Sequence, residues 1–152
     1  MGATDGRPGG VYVAAQMLLL GALALSARHP RRGLASALGL LAMGAGGAVM
    51  ALAASRLGRR LRADPMPAPD AELRTDGAYA FARHPIYTGL LTFAAGLALL
   101  RGGWRTSGLW VALLVVLTRK TRLEEQLLIE RFPEYAAYAE RTPRFLPRLP
   151  RC

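Results

Sequence analysis

Cysteine is nearly absent from this 152-residue chain: Cys152 is the only one, and it is the last residue. No intramolecular disulfide can form, no thiolate metal site can be assembled, and no prenylation box is expected, since that motif needs three residues after its cysteine. Lysine is equally scarce, with Lys120 the sole one among 20 basic residues. This preference for arginine, alongside much alanine, glycine and proline, is what a GC-rich genome writes, and the ratio is read as carrying no functional message. Acidic residues number only 10, leaving a formal net charge of +10. On a soluble protein that excess would point to nucleic acid, because phosphate neutralisation needs clustered Lys and Arg. Here the arginines mostly flank apolar blocks, where topology and anionic lipid head groups account for them, so no nucleic-acid partner is expected.

What the chain has in abundance is long apolar runs: 52% of its residues are hydrophobic, gathered in blocks rather than in short amphipathic periods. Val11 to Ala27 and Gly33 to Ser55 read as two membrane helices. The second carries small residues four apart, Gly44/Ala48 and Gly47/Ala51, suited to close helix packing. A signal peptide is the competing reading of the first block, since Arg7 precedes it and Ala22-Leu23-Ala24 resembles a cleavage site. Ile86 to Leu100 and Ser107 to Thr118 are shorter, and with Gly102-Gly103 between them they read as a helical hairpin lengthened by flanking residues or crossing thin membrane. The expected fold is therefore all-α, an integral membrane bundle of about four transmembrane helices with a C-terminal cytosolic interfacial helix. It forms a single domain over 1–152, with a two-span region over 1–62, a linker over 63–74 and a cofactor-binding region over 75–152.

Charge sets the orientation. With the N-terminus in the cytosol, only Arg28, Arg31, Arg32, Arg101 and Arg105 of the 20 basic residues fall outside, which satisfies the positive-inside rule. The polar segments 56–85 and 119–152 then share the cytosolic face, both termini are cytosolic, and the inner membrane of a bacterium is the expected location. Arg56, Arg59, Arg60 and Arg62 suit lipid phosphates or a stop-transfer signal, and Pro65, Pro67 and Pro69 make a stiff connector.

Thr75 to Gly89 reads T-D-G-A-Y-A-F-A-R-H-P-I-Y-T-G at the mouth of the third apolar block. Asp76-Gly77 marks a turn, and Pro85 fits the first turn of a helix whose free N–H groups attract anions. Arg83 can fork onto a carboxylate, His84 is titratable, and Gly89 lets another backbone or a ligand approach one turn further in. Singly, each has a plain alternative: Arg83 as an interfacial anchor, Tyr79 and Tyr87 as an aromatic belt, His84 as a residue bonded to backbone. The hairpin returns the chain to the same face, however, and so delivers Glu124 and Glu125 to Arg83 and His84. On a helix, Leu123, Leu127, Leu128 and Phe132 define an apolar arc with Glu124 near its middle and Glu125 just past its edge. A buried carboxylate there needs a partner, either a bound ligand or an ion pair with Arg83, Arg119 or Arg122, and the residues alone weigh the two about equally. Beyond Pro133, Tyr135 and Tyr138 share a helical face, and the tail with Phe145, Leu146 and Leu149 can lie on the interface or cap a site. Arg28-His29-Pro30 echoes Arg83-His84-Pro85 without the Tyr and Gly that follow, and is read as chance.

The ordered set Gly77, Tyr79, Arg83-His84-Pro85, Tyr87, Gly89, then Glu124-Glu125, Leu128, Phe132, Tyr135, Tyr138, Arg144 and Pro147 resembles the isoprenylcysteine carboxyl methyltransferase family and its phospholipid methyltransferase relatives, from about Thr75 to Pro147. The resemblance implies S-adenosyl-L-methionine as cofactor and a lipid, lipidated or lipophilic small-molecule acceptor entering from the membrane. Carried onto this chain, Tyr79, Arg83, His84, Pro85, Tyr87, Gly89, Glu124, Glu125, Tyr135, Tyr138 and Arg144 would bind the cofactor, with Arg83, His84 and Glu125 as the catalytic set and no metal. An amine or thiol acceptor gives up a proton that His84 or a glutamate would take, a carboxylate acceptor needs no base, and both stand open at this level. Two rivals are an NADPH-dependent membrane reductase of the sterol-reductase type, whose many spans this chain is too short to supply, and a non-catalytic membrane subunit.

Overall fold

A computed structural model describes residues 8–26, 33–58 and 73–145. They form five α-helices and a short 3-10 turn, with no strand among the described residues: α1 Pro8–Leu25, α2 Leu34–Leu57, the turn Gly77–Ala80, α3 Pro85–Arg101, α4 Trp104–Arg131 and α5 Tyr135–Arg141. Arg28-His29-Pro30, the cluster Arg59, Arg60 and Arg62, the proline connector and the tail from Leu146 onward lie outside the described residues.

Helix ends follow local chemistry. Pro85 occupies the first turn of α3, where a missing N–H costs nothing. The hairpin turns on Gly102 and Gly103, whose φ of 69° and 91° lie in the left-handed region that glycine enters without strain. Phe132 is extended ahead of Pro133, and α4 stops there. The fourth apolar block and the Glu-bearing segment, read from sequence as a span followed by an interfacial helix, are one continuous helix of 28 residues. Nothing between Thr118 and Arg131 breaks it, so the helical ladder runs on past the last apolar residue.

The helices alternate in direction. Gly39 of α2 faces Gly96 and Leu100 of α3, while Gly46 faces Gly89 and Phe93, so α2 and α3 are antiparallel. At the far end Arg101 donates to the Ala24 and Ser26 carbonyls at 2.6 and 3.0 Å, satisfying the open C-terminus of α1. At the near end Lys120 of α4 reaches Gln16 of α1. The N-termini of α1 and α3 therefore share one end of the bundle with the C-termini of α2 and α4. Leu23, Leu91, Ala94, Leu113 and Leu117 form the core shared by α1, α3 and α4, closed by the Trp110 indole donating to the Leu91 carbonyl at 2.9 Å. Because α1 is packed into this core, it is a structural member of the bundle.

The small-residue face of α2 is not the expected one. Gly39 and Gly46, seven apart, are buried against α3, and Ala53, seven further on, is buried as well, whereas a Cβ on Gly44 or Gly47 would meet nothing within 4 Å. A Cβ on Gly46 would stand 2.5 Å from the Gly89 carbonyl oxygen and from the Phe93 nitrogen, both backbone atoms. A period of seven keeps one antiparallel neighbour in register along the helix, which a run of fours does not. Of the described helices, α2 is long and apolar enough by itself to cross a membrane, and α1 and α3 are shorter apolar helices. The outward faces are apolar as well, Leu18 and Leu41 being 74% and 69% exposed in mid-helix.

Candidate functional site

At the near end, the N-terminus of α3 meets the lower half of α4, α5 and the segment after it. His84 is the residue before Pro85 and is buried at 8% exposure. Its Nδ1 lies 3.3 Å from Glu124 Oε2 and its Nε2 3.2 Å from Glu125 Oε1. Two ring nitrogens each facing a carboxylate call for an N–H on both, and the ring is then an imidazolium. Burial alone pulls the imidazole down, but the hydrogen bonds to Glu124 and Glu125 and their charges outweigh it, and the ring is held above its ordinary 6.5.

Glu125 is the hub. Arg144 forks onto it, Nε to Oε1 at 3.0 Å and Nη2 to Oε2 at 2.5 Å, while Arg83 Nη2 sits 3.1 Å from Oε1. Burial pushes this carboxyl up, yet the hydrogen bonds from His84 and Arg144 and the charges of His84 and Arg83 bring it down to about 2. Glu124 accepts from the Tyr87 hydroxyl at 2.7 Å, and the Tyr87 ring stacks on His84 with centroids 5.8 Å apart. Both carboxylates are covered alike, at 12% and 11% side-chain exposure, which corrects the expectation that Glu125 lies past the edge of the apolar arc. The arc faces α3 and α5 together, so its width is set by two neighbours rather than one. Arg119 and Arg122, offered as ion-pair partners from sequence, are exposed.

The segment after α5 closes over this corner. Arg83 and His84 donate their backbone N–H groups to the Pro143 and Arg144 carbonyls at 2.8 and 3.1 Å. Thr88 Oγ1 donates to the Phe145 carbonyl at 2.6 Å. The two backbone N–H groups just ahead of α3 are thus taken by the chain itself. Arg83 Nη1 donates to the Ala139 carbonyl at 2.8 Å, so this side chain ties α3 to α4 and α5, and the fork expected of it is made by Arg144 instead.

The tyrosines build the wall behind. Tyr135 and Tyr138 share one face and meet edge to face at 5.7 Å, and the Tyr138 hydroxyl donates to the Tyr79 carbonyl at 2.6 Å. Burial raises the Tyr138 phenol to about 12, against the pull of Arg83. Tyr79 is raised by burial, then by Tyr138 and Glu124. Tyr135 is raised by burial and Glu125, with Arg83 opposing. Two buried polar atoms find no hydrogen-bond partner among the described residues: Arg83 Nε and Tyr135 Oη. Tyr79, Arg83, His84, Pro85, Tyr87, Glu124, Glu125, Tyr135, Tyr138 and Arg144 are brought to this end. Gly89 is not turned toward the carboxylates: a Cβ there would meet the Gly46 carbonyl at 2.6 Å and Met50 of α2, so this glycine serves the seam with α2.

Sequence reasoning missed three participants. Thr88 latches the C-terminal segment, and Gln16 and Lys120 stand behind Tyr87, with Lys120 completely buried. The signal for Lys120 was its singularity in an arginine-rich chain. No group of three or more His, Cys, Asp or Glu suited to a metal occurs among the described residues.

The family model described as "Isoprenylcysteine carboxyl methyltransferase (ICMT) family" matches residues 37–130, from α2 to near the end of α4. The cobalt-zinc-cadmium resistance protein CzcN of Cupriavidus metallidurans is 38% identical over 78 residues, 51% of this chain and 36% of that protein. The nickel-cobalt-cadmium resistance protein NccN of Alcaligenes xylosoxydans xylosoxydans is 37% identical over 84 residues, 51% of this chain and 37% of that protein. The protein-S-isoprenylcysteine O-methyltransferase of Schizosaccharomyces pombe is 32% identical over 80 residues, 51% of this chain and 34% of that protein. The chain thus spans about a third of the length of each of these relatives.

Proposed function

The chain belongs to the isoprenylcysteine carboxyl methyltransferase family, and on that premise we propose that it is an integral membrane methyltransferase drawing its methyl group from S-adenosylmethionine. The bundle crosses the membrane four times, with the shorter apolar stretches of α1, α3 and the first half of α4 accommodated by local thinning of the bilayer. The near end lies at the cytosolic face of a bacterial inner membrane, as the distribution of arginine favours.

The observation that carries this reading is the pair of orphaned buried atoms, Arg83 Nε and Tyr135 Oη, in a corner that also holds two carboxylates. Buried donors without partners are costly, and a bound polar group would satisfy them. S-adenosylmethionine carries a carboxylate, an ammonium and a sulfonium. Arg83, Arg144 and Tyr135 suit the first, and Glu124 and Glu125 the two cationic groups. When bound, it supplies an electrophilic methyl group for in-line displacement, and the protein's part is to position the partners and exclude water.

The acceptor is a lipid, a lipidated molecule or a small lipophilic compound reaching the site from the bilayer. His84 has both nitrogens committed to carboxylates, and Glu125 is held ionised by Arg144, Arg83 and His84, so neither serves as a proton acceptor. That favours an acceptor already nucleophilic on arrival, a carboxylate or a preformed thiolate, over an ammonium or an alcohol. A reductase reading draws no support: of the three relatives named above, none is a reductase.

Isothermal titration of detergent-purified protein with S-adenosylhomocysteine and, separately, with NADPH tests the proposal. Binding of the first and not the second is the expected result. Binding of NADPH, or of neither, overturns it.

A further inference from the structure

Lys120 is completely buried, one helical turn before Glu124 on α4. Its ammonium donates to Gln16 Oε1 of α1 at 3.1 Å and lies 5.0 Å from the centre of the Tyr87 ring on α3. Gln16 is itself buried, on the same stripe of α1 as Leu23. The Tyr87 hydroxyl in turn donates to Glu124, and the Tyr87 ring stacks on His84. A path of direct contacts therefore runs from α1 through Lys120, Tyr87 and Glu124 to His84.

Burying an ammonium in an apolar bundle is expensive, and an apolar side chain of similar size would pack the same space at lower cost. A cation over an aromatic face is attracted by the ring and draws density from the phenol, which strengthens the O–H as a donor. Here that donor serves Glu124. Arg83 and Arg144 hold Glu125 directly, whereas no arginine ion pair is found on Glu124 among the described residues.

From this we infer that Lys120 is a positioning residue: braced by Gln16, it holds the Tyr87 ring so that the hydroxyl fixes Glu124 and, through it, the Nδ1 side of His84. Helix α1, which lies outside the span of the family match, thereby becomes part of the site. The inference rests on the methyl-transfer reading for its affinity assay only.

The test is a double-mutant cycle between Lys120→Met and Tyr87→Phe, with Lys120→Arg and Gln16→Leu alongside, read by S-adenosylhomocysteine affinity and by Tm in detergent. Lys120→Met is expected to weaken binding about tenfold, Gln16→Leu less, and Lys120→Arg to recover most of the loss. If Lys120 acts through the Tyr87 hydroxyl, Lys120→Met causes no further loss of affinity in the Tyr87→Phe background, although Tm falls additively. Unchanged affinity in Lys120→Met, or additive affinity losses in the double variant, would overturn the inference. If the wild-type protein does not bind S-adenosylhomocysteine, the methyl-transfer reading fails, and the inference is judged from the imidazole 15N shifts of His84 in a His29→Gln background. A shift on Lys120→Met then supports it, and no shift overturns it.

Discussion

Helix α3 is held by its two neighbours in opposite ways. Against α2 it presents bare backbone: Gly89 and Gly96 let the helices approach until carbonyl oxygens and backbone nitrogens fill the space a Cβ would take. Against α4, at its N-terminal end, it presents Arg83, His84 and Tyr87 to a pair of carboxylates. The first contact is steric and apolar, needs no titratable group, and is set by where side chains are missing. The second is a network of charges in which each member is tolerable only because of the others. The glycine seam behaves as a fixed hinge plate, and the charged corner as the part that can recognise something.

The contrast breaks most sharply at Glu125. Glu125→Ala leaves Arg83, His84 and Arg144 facing one another without their shared counter-charge, and removing one partner of a buried charged set costs about 3–5 kcal/mol. Loss of S-adenosylhomocysteine binding in calorimetry, with a lowered Tm, is the expected result; binding at wild-type strength would reduce the corner to packing. Next is the seam. Gly46→Val is expected to destabilise by about 1–3 kcal/mol through backbone displacement, while Gly44→Ala, two residues away with open space around it, is neutral. Equal Tm shifts in the two variants would show that α2 does not use the face described.

Dependence on pH separates the regions again, with a smaller effect. The His84 pKa is raised by folding, so its contribution is whole below 6.5 and is lost as pH climbs through the raised value. Glu125 is depressed from 4.5 to about 2, so its contribution is whole above 4.5 and is lost as pH falls from there toward 2. A plateau of Tm between about pH 4.5 and 6.5 is expected, declining on both sides, with the alkaline decline abolished in His84→Gln. The seam has no titrating group, and Gly46→Val should lower the whole curve without moving its edges. The smallest effect is expected at Arg56 and Asp76, paired at 3.5 Å but each 57% exposed: Arg56→Ala should change stability by less than about 1 kcal/mol in chemical denaturation.

Much of this was legible along the chain. Apolar runs interrupted by glycine pairs and proline can only be helices broken at those points, and Pro85 and Gly102-Gly103 mark the ends of α3 where the structure has them. The meeting of Arg83 and His84 with Glu124 and Glu125 followed from a hairpin that must return its chain to the same end. The rest depended on distances no linear pattern contains. Gly89 sits within the motif and reads as part of the site, yet its missing side chain is spent on α2. Arg144 and Arg83 exchange roles because the fork goes to whichever guanidinium the closing segment brings alongside Glu125.

Lys120 is the clearest case of what the two levels supply. Sequence by itself determined that the bundle is helical, that its charges gather at one end, and that the carboxylate pair reaches the arginine–histidine corner, because helix formation and chain reversal are local properties of the residues involved. Only tertiary structure decided that α1 reaches that corner through Gln16, that the sole lysine is sealed behind Tyr87, and that Gly39 and Gly46 rather than Gly44 and Gly47 meet α3. Which face of a helix is covered depends on neighbours far away in sequence, and an apolar helix in an apolar surrounding carries no amphipathic stripe to announce that face in advance.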